Sequence, residues 1–131
     1  MATIPTMSEQ QATTVSTDWP RPVVHWEIVA RDPQRLARFY RQLFNWDIGD
    51  APVMQIPAGL GGPEPGPAGH LRVGDHPGIS LYVQVRNLDQ STNQVEVLGG
   101  KVVRPPYETP TGVTLSAILD PEGNRVVLVQ Q

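Results

Sequence analysis

The sequence predicts an α+β domain of two similar halves, each running strand, helix and then up to three strands. Three observations carry this reading. A β-branched run from Val23 to Ala30 leads straight into a helix start at Asp32-Pro33. The same order returns about 55 residues later, where Gly78 to Val85 leads into a helix capped by Asn87 or Asp89. The remaining chain falls into short Val-, Ile- and Leu-rich runs punctuated by Gly and Pro.

The elements follow in chain order. Residues 1–18 are rich in Thr, Ser and Gln with almost nothing to bury, and read as a polar tail before one domain over 19–131. After the first strand, Asp32 accepts hydrogen bonds from the free first-turn amides, and Pro33 sits where its missing N–H costs nothing. Leu36, Phe39, Tyr40 and Leu43 recur at helical spacing as one apolar stripe, and Asn45 suits the left-handed stop. Trp46 to Ile48 and Val53 to Ile56 are short strand candidates. Residues 57–69, PAGLGGPEPGPAG, hold nine Gly or Pro and predict a long loop, followed by a strand over Gly69 to Val73. Module one thus spans about 23–74. Module two spans about 78–130: a strand over 78–85, a helix to Leu98 stopped by Gly99-Gly100, then strands over 101–103, 113–119 and 125–129. Asp120-Pro121-Glu122-Gly123-Asn124 is the turn joining the last two.

Composition narrows the function. The chain has 131 residues, 39% hydrophobic, with 14 Pro and 12 Gly, about 20% against a usual 12% or so. Ten Lys plus Arg against thirteen Asp plus Glu give a net charge of −3, which is no footprint for nucleic acid. No apolar run approaches the roughly 20 residues of a membrane span. The absence of Cys excludes disulfides, thiolate metal sites and a Cys nucleophile. The first residues have neither a basic start nor an apolar stretch, so a cytoplasmic location is expected by default. Gly59-Leu60-Gly61-Gly62 neither follows a clear strand nor opens a helix, which argues against a phosphate loop.

The segments VVHWEIVARDPQRLARFYRQLFNWDI, SLYVQVRNLDQ, VEVLGGKVVRPP and ILDPEGNRVVLVQ, in this order and spacing, resemble the vicinal oxygen chelate superfamily. It also goes by the glyoxalase, bleomycin-resistance and dioxygenase names. The resemblance implies two βαβββ modules whose sheets curl around a shared cavity, with the helices outside. In metal-using members a divalent ion is held there by His, Gln or Glu from four strands. The first of those positions matches His25. The second matches His70 or Gln55, the third Ser80 and the fourth Val127. A divalent ion wants three or four N or O donors, and Val offers none. No conventional metal site and no cofactor are therefore expected, and His25 and His70 are the donors that remain.

Strand alternation puts His25 and Glu27 on one face and Trp26 and Ile28 on the other. If the helix covers Trp26, His25 and Glu27 face the cavity. His25 reads either as a hydrogen-bonded core histidine or as a residue for ligand recognition or proton transfer. Glu27 needs a partner such as Arg72, Arg125 or His25; it reads first as one side of a structural salt bridge, and would be a general base if burial raised its pKa. Ser80, Tyr82 and Gln84 join them from module two, with Val127 as an apolar wall; His70 and Arg72 complete the ligand-binding set. Trp46 is expected in the core, His76 in solvent, and Arg31, Arg35, Arg38, Arg41 and Arg86 on the surface. The expected function is metal-free binding of a small organic molecule, for sequestration, sensing or an accessory role. The alternative is a glyoxalase-, isomerase- or epimerase-like lyase, with a reduced metal site or with His25 and Glu27 as acid/base groups. Single-domain proteins of the resembling type commonly pair, so a homodimer is expected.

Overall fold

The computed structural model describes residues 19–58 and 66–130. The tail over 1–18 and the centre of the Gly/Pro loop lie outside the described residues. Nine elements follow one another: β1 (Val23–Ala30), α1 (Pro33–Phe44), β2 (Val53–Ile56), β3 (Gly69–Val73), β4 (Gly78–Val85), α2 (Leu88–Val95), β5 (Lys101–Glu108), β6 (Thr114–Leu119) and β7 (Arg125–Gln130). The seven strands form one curled, open sheet in the order β2-β3-β1-β4-β7-β6-β5.

The register reveals the duplication. In module one, β3 runs parallel to β1 and antiparallel to β2; in module two, β7 runs parallel to β4 and antiparallel to β6. The modules meet where β1 and β4 pair antiparallel at the centre. Module one has one strand fewer. The expected strand at Trp46 to Ile48 does not form; this stretch runs beside β2 through a Gly49 N–H to Gln55 carbonyl bond of 2.9 Å.

Helix α1 starts as its sequence dictates, with Asp32 accepting from the Arg35 N–H and Pro33 in the first turn. It ends at Asn45, whose φ of 58° is left-handed. Its packing departs from the expected stripe. Leu36, Ala37 and Tyr40 meet a core of Ile28, Met54, Ile56 and Leu71, whereas Phe39 and Leu43 are 54% and 59% exposed. The stripe turns about one residue round the helix because fully buried Ala37 lets the helix approach the sheet. Trp46 packs against this core, as its apolar bulk suggests, touching Trp26, Tyr40 and Phe44. Arg41 is no free surface charge: its guanidinium donates to the Ile48 carbonyl at 2.7 Å and to the Gly49 carbonyl at 3.2 Å.

In module two, Asn87 caps α2 by accepting from the Gln90 N–H. The helix stops at Val95 rather than Leu98, with closing turns running to Gly99 and Gly100. Strand β5 continues past Val103 through Pro105 and Pro106 to Glu108. Two register shifts against β6 and its place at the sheet edge make those prolines tolerable. Both helices cover one face of the sheet. The opposite face carries the candidate residues.

Candidate functional site

Four central strands deliver the side chains. Glu27 on β1 stands beside His70 on parallel β3 and Ser80 on antiparallel β4, and His25 stands beside Tyr82. Opposed residues share a face, so His25, Glu27, His70, Ser80 and Tyr82 all lie on the helix-free side. Val127 joins them through its pairing with Tyr82. Trp26 and Ile28 take the helix side, as alternation requires. Gly69 opposes Trp26, and a Cβ there would meet the indole at 2.4 Å; only glycine lets the ring lie across β3. The indole N–H in turn holds the Pro67 carbonyl at 2.8 Å, at the end of the Gly/Pro loop.

The register also separates His70 from Gln55. His70 occupies the strand parallel to β1, which is the place Val127 takes beside β4 in module two. Gln55 sits one strand further out and is exposed.

Glu27 organises the polar residues. Only 2% exposed, it accepts at Oε1 from Arg72 Nε at 2.6 Å, His70 Nε2 at 2.9 Å and Tyr82 Oη at 3.2 Å. Its Oε2 is buried without a partner. Of the partners expected from sequence, Arg72 is present, whereas Arg125 and His25 do not touch it. Burial pushes the Glu27 carboxyl up, but hydrogen bonds and charge from His70 and Arg72 outweigh that and bring it down to about 2. Glu27 is thus a fixed anion near neutrality. Of the two expectations for Glu27, the salt bridge to Arg72 is the one present, and the general base with a raised pKa is corrected, because the guanidinium and His70 outweigh the burial. The Arg72 guanidinium is held above its usual range chiefly by its bond to Glu27. Burial, then the charge and hydrogen bond of Glu27, push the Tyr82 phenol up, so it stays protonated and donates.

The network extends one step further. His25 Nε2 lies 2.8 Å from His70 Nδ1, and the rings stack with centroids 5.0 Å apart. A carboxylate only accepts, so His70 Nε2 donates to Glu27. In the neutral ring His70 Nδ1 then accepts from His25 Nε2, which leaves His25 Nδ1 as a bare lone pair. Burial and the neighbouring His70 lower the His25 pKa, with Glu27 opposing, so His25 is neutral at pH 7.

This arrangement decides whether the residues fit a divalent metal. His70 turns one nitrogen to His25 and the other, across the ring, to Glu27, so the three donor sets do not converge on one point. Ser80 and Val127, at the matching positions of module two, add one weak donor and none. The donor set does not fit the ion that the family implies.

A cleft of about 700 Å³ opens between the modules at the Val29 end of this face. Arg72 and Ser80 line it, together with Val29, Val103, Leu119 and Arg125. His25, His70, Tyr82, Gln84 and Val127 do not. The open space is displaced toward the start of β4, because Glu27 and its partners fill the middle of the face. Arg125 and Leu119 were not in the expected lining, although both share the inward parity of Val127 and so were within reach of strand alternation. His76 stands exposed at the rim.

Known proteins bear on this geometry in two ways. Among curated proteins none matches the sequence significantly. Solved structures match the fold. A glyoxalase/bleomycin resistance protein/dioxygenase superfamily member from Vibrio splendidus superposes with a TM-score of 0.61 at 12% identity, covering 86% of this chain and 100% of that one. A hypothetical protein from Bacillus halodurans gives 0.61 at 12% identity, covering 85% and 94%. The methylmalonyl-CoA epimerase of Streptomyces coelicolor gives 0.53 at 15% identity, covering 84% and 94%. The model of the glyoxalase-like domain matches residues 23–129, nearly the whole described domain. With the paired modules and the curled sheet, this match makes the chain a member of the glyoxalase-like domain family, within the vicinal oxygen chelate superfamily.

Proposed function

We propose that this glyoxalase-like protein binds a small organic molecule in the cleft between its modules, and does so without a divalent metal. The observation that carries the reading is the mutual commitment of the module-one donors, Glu27 to His70 and His70 to His25. A cleft with an apolar wall and a few convergent polar groups suits such a ligand. Elemental analysis of the purified protein, with calorimetric titration of Zn²⁺, Ni²⁺ and Mn²⁺, tests the metal-free part. Substoichiometric metal and no saturable uptake are expected. A stoichiometric metal lost in His25→Ala would overturn the reading.

One observation favours a second reading, acid/base catalysis. The relay ends on the unprotonated Nδ1 of His25, backed by a buried anion, as a proton acceptor would need. In that reading His25 is the base, and Glu27 and His70 are positioning residues. His25 stands outside the cleft lining, so this reading needs a ligand long enough to reach it; exchange of such a ligand's activated C–H proton with deuterated solvent, abolished by His25→Ala, would favour it over binding alone.

We also propose a homodimer. Phe39, Leu43 and Phe44 are 54%, 59% and 51% exposed along α1, more apolar surface than a lone helix face is expected to leave in water. Sedimentation should give twice the 14.4 kDa chain mass, and a particle of one chain would overturn the assignment.

A further inference from the structure

Across the centre of the helix-free face, three strands place Glu27, Ser80 and Arg125 in one row. Glu27 opposes Ser80, and the Leu81–Val126 pairing puts Arg125 in step with Ser80. Neighbouring strands lie about 4.8 Å apart, so roughly 10 Å separates the backbones of Glu27 and Arg125 with only a small, buried serine between them. That short side chain between two long ones lets the cleft extend inward.

The two cations of the cleft differ. Arg72 already has its counter-charge: Nε bonds Glu27, and Nη1 reaches the Val73 carbonyl at 3.3 Å. Arg125 has no ion pair and no side-chain hydrogen bond among the described residues, and its Nε is buried without a partner. It nevertheless lines the cleft, beside Val29, Val103 and Leu119. A half-buried guanidinium that faces a cavity and has no counter-charge lacks an anion. The carboxylate that also lines the cleft, Asp75, stands exposed on the rim, as does His76. One unanswered positive charge against an apolar wall matches a single negative charge on an apolar body.

We infer that the cleft takes a small organic monocarboxylate, its carboxylate held by the Arg125 terminal nitrogens and its apolar part along Val29, Val103 and Leu119. The inference rests on the reading of the cleft as the ligand site. Calorimetry or NMR shift titration of the whole chain with benzoate and hexanoate, each against its neutral amide, tests it. The acids should bind at least about tenfold tighter than the amides, as a charge-assisted hydrogen bond implies. Arg125→Gln should erase that preference and Arg125→Lys keep part of it; the acid–amide comparison on the unaltered chain decides even if a variant fails to fold. Equal binding of acid and amide would overturn the anion assignment while leaving the cleft as a ligand site. No binding of either would overturn both. Inorganic phosphate binding more tightly than benzoate would overturn the monocarboxylate in favour of a plain anion site.

Discussion

Module one and module two present equivalent strands to the same face, yet their side chains are opposites. Module one supplies His25, Glu27, His70 and Arg72, a connected network around one buried carboxylate. At the matching places module two supplies Ser80, Tyr82 and Val127. A duplicated fold therefore carries an unduplicated site: the polar network is gathered on one half, the other half supplies Arg125, without an ion pair among the described residues, and the open space lies between them. The lesson is that backbone symmetry sets where donors could stand, while side-chain identity decides whether they converge.

The comparison can be broken by making module two resemble module one. Ser80→His together with Val127→Glu would put a donor at all four matching positions. Without metal the pair should cost on the order of 3 kcal/mol, because Ser80 and Val127 are buried and two polar groups enter their places, with only Arg125, two residues along the strand from Val127, to offset the new carboxylate. Ni²⁺ or Zn²⁺ should raise the melting temperature of this variant and leave the unaltered chain where it was, as thermal denaturation would read.

The next largest effect is expected from the hub of module one. Glu27→Gln removes the charge between Arg72 and His70 and should cost about 3 kcal/mol, measured by urea unfolding. Acid should do the same reversibly. A carboxylate lowered from 4.5 to about 2 stabilises the fold above pH 4.5, and that contribution, roughly 3 kcal/mol, is lost as pH falls toward 2. His25 adds an earlier, shallower decline: its pKa is lowered, so the unfolded chain binds its proton first and stability falls as pH drops below 6.5. Glu27→Gln should flatten the lower limb of the pH–stability curve and deepen the upper one, because the Glu27 charge is what opposes the lowering of the His25 pKa. The smallest effect is expected from Tyr82→Phe, which removes the module-two hydrogen bond to Glu27. Its 3.2 Å bond should be worth about 1 kcal/mol.

Much of this was legible in the sequence, for stated reasons. The Asp32-Pro33 start, the Asn45 stop and the alternation of β1 depend on neighbours within a few residues, and the structure has them as read. So did the gathering of His25, Glu27, His70, Ser80 and Tyr82 on one face, which follows from period two. Contacts across the chain were harder. The choice of His70 over Arg125 as a partner of Glu27 depends on the β1–β3 register, which no local pattern encodes. The sign of the Glu27 shift depends on Arg72 arriving at 2.6 Å, and the sequence names Arg72 as one of three candidate partners without fixing which of them reaches the carboxylate. The sequence predicts this strand only over 101–103; β5 runs on through Pro105-Pro106 to Glu108 because at the sheet edge the missing amide donors cost little. Trp46 to Ile48 had the residue types of a strand but offers the sheet a single bond at Gly49.

The central claim is that the donors of module one are committed to one another rather than to a metal. Nitrogen-detected NMR of the imidazole rings at mildly alkaline pH tests it most directly. The account predicts His70 protonated at Nε2, His25 protonated at Nε2 with a bare Nδ1, and both sets of signals unmoved by equimolar Zn²⁺. Loss of the His70 Nε2 proton, or a concerted shift of both rings on adding Zn²⁺, would contradict it.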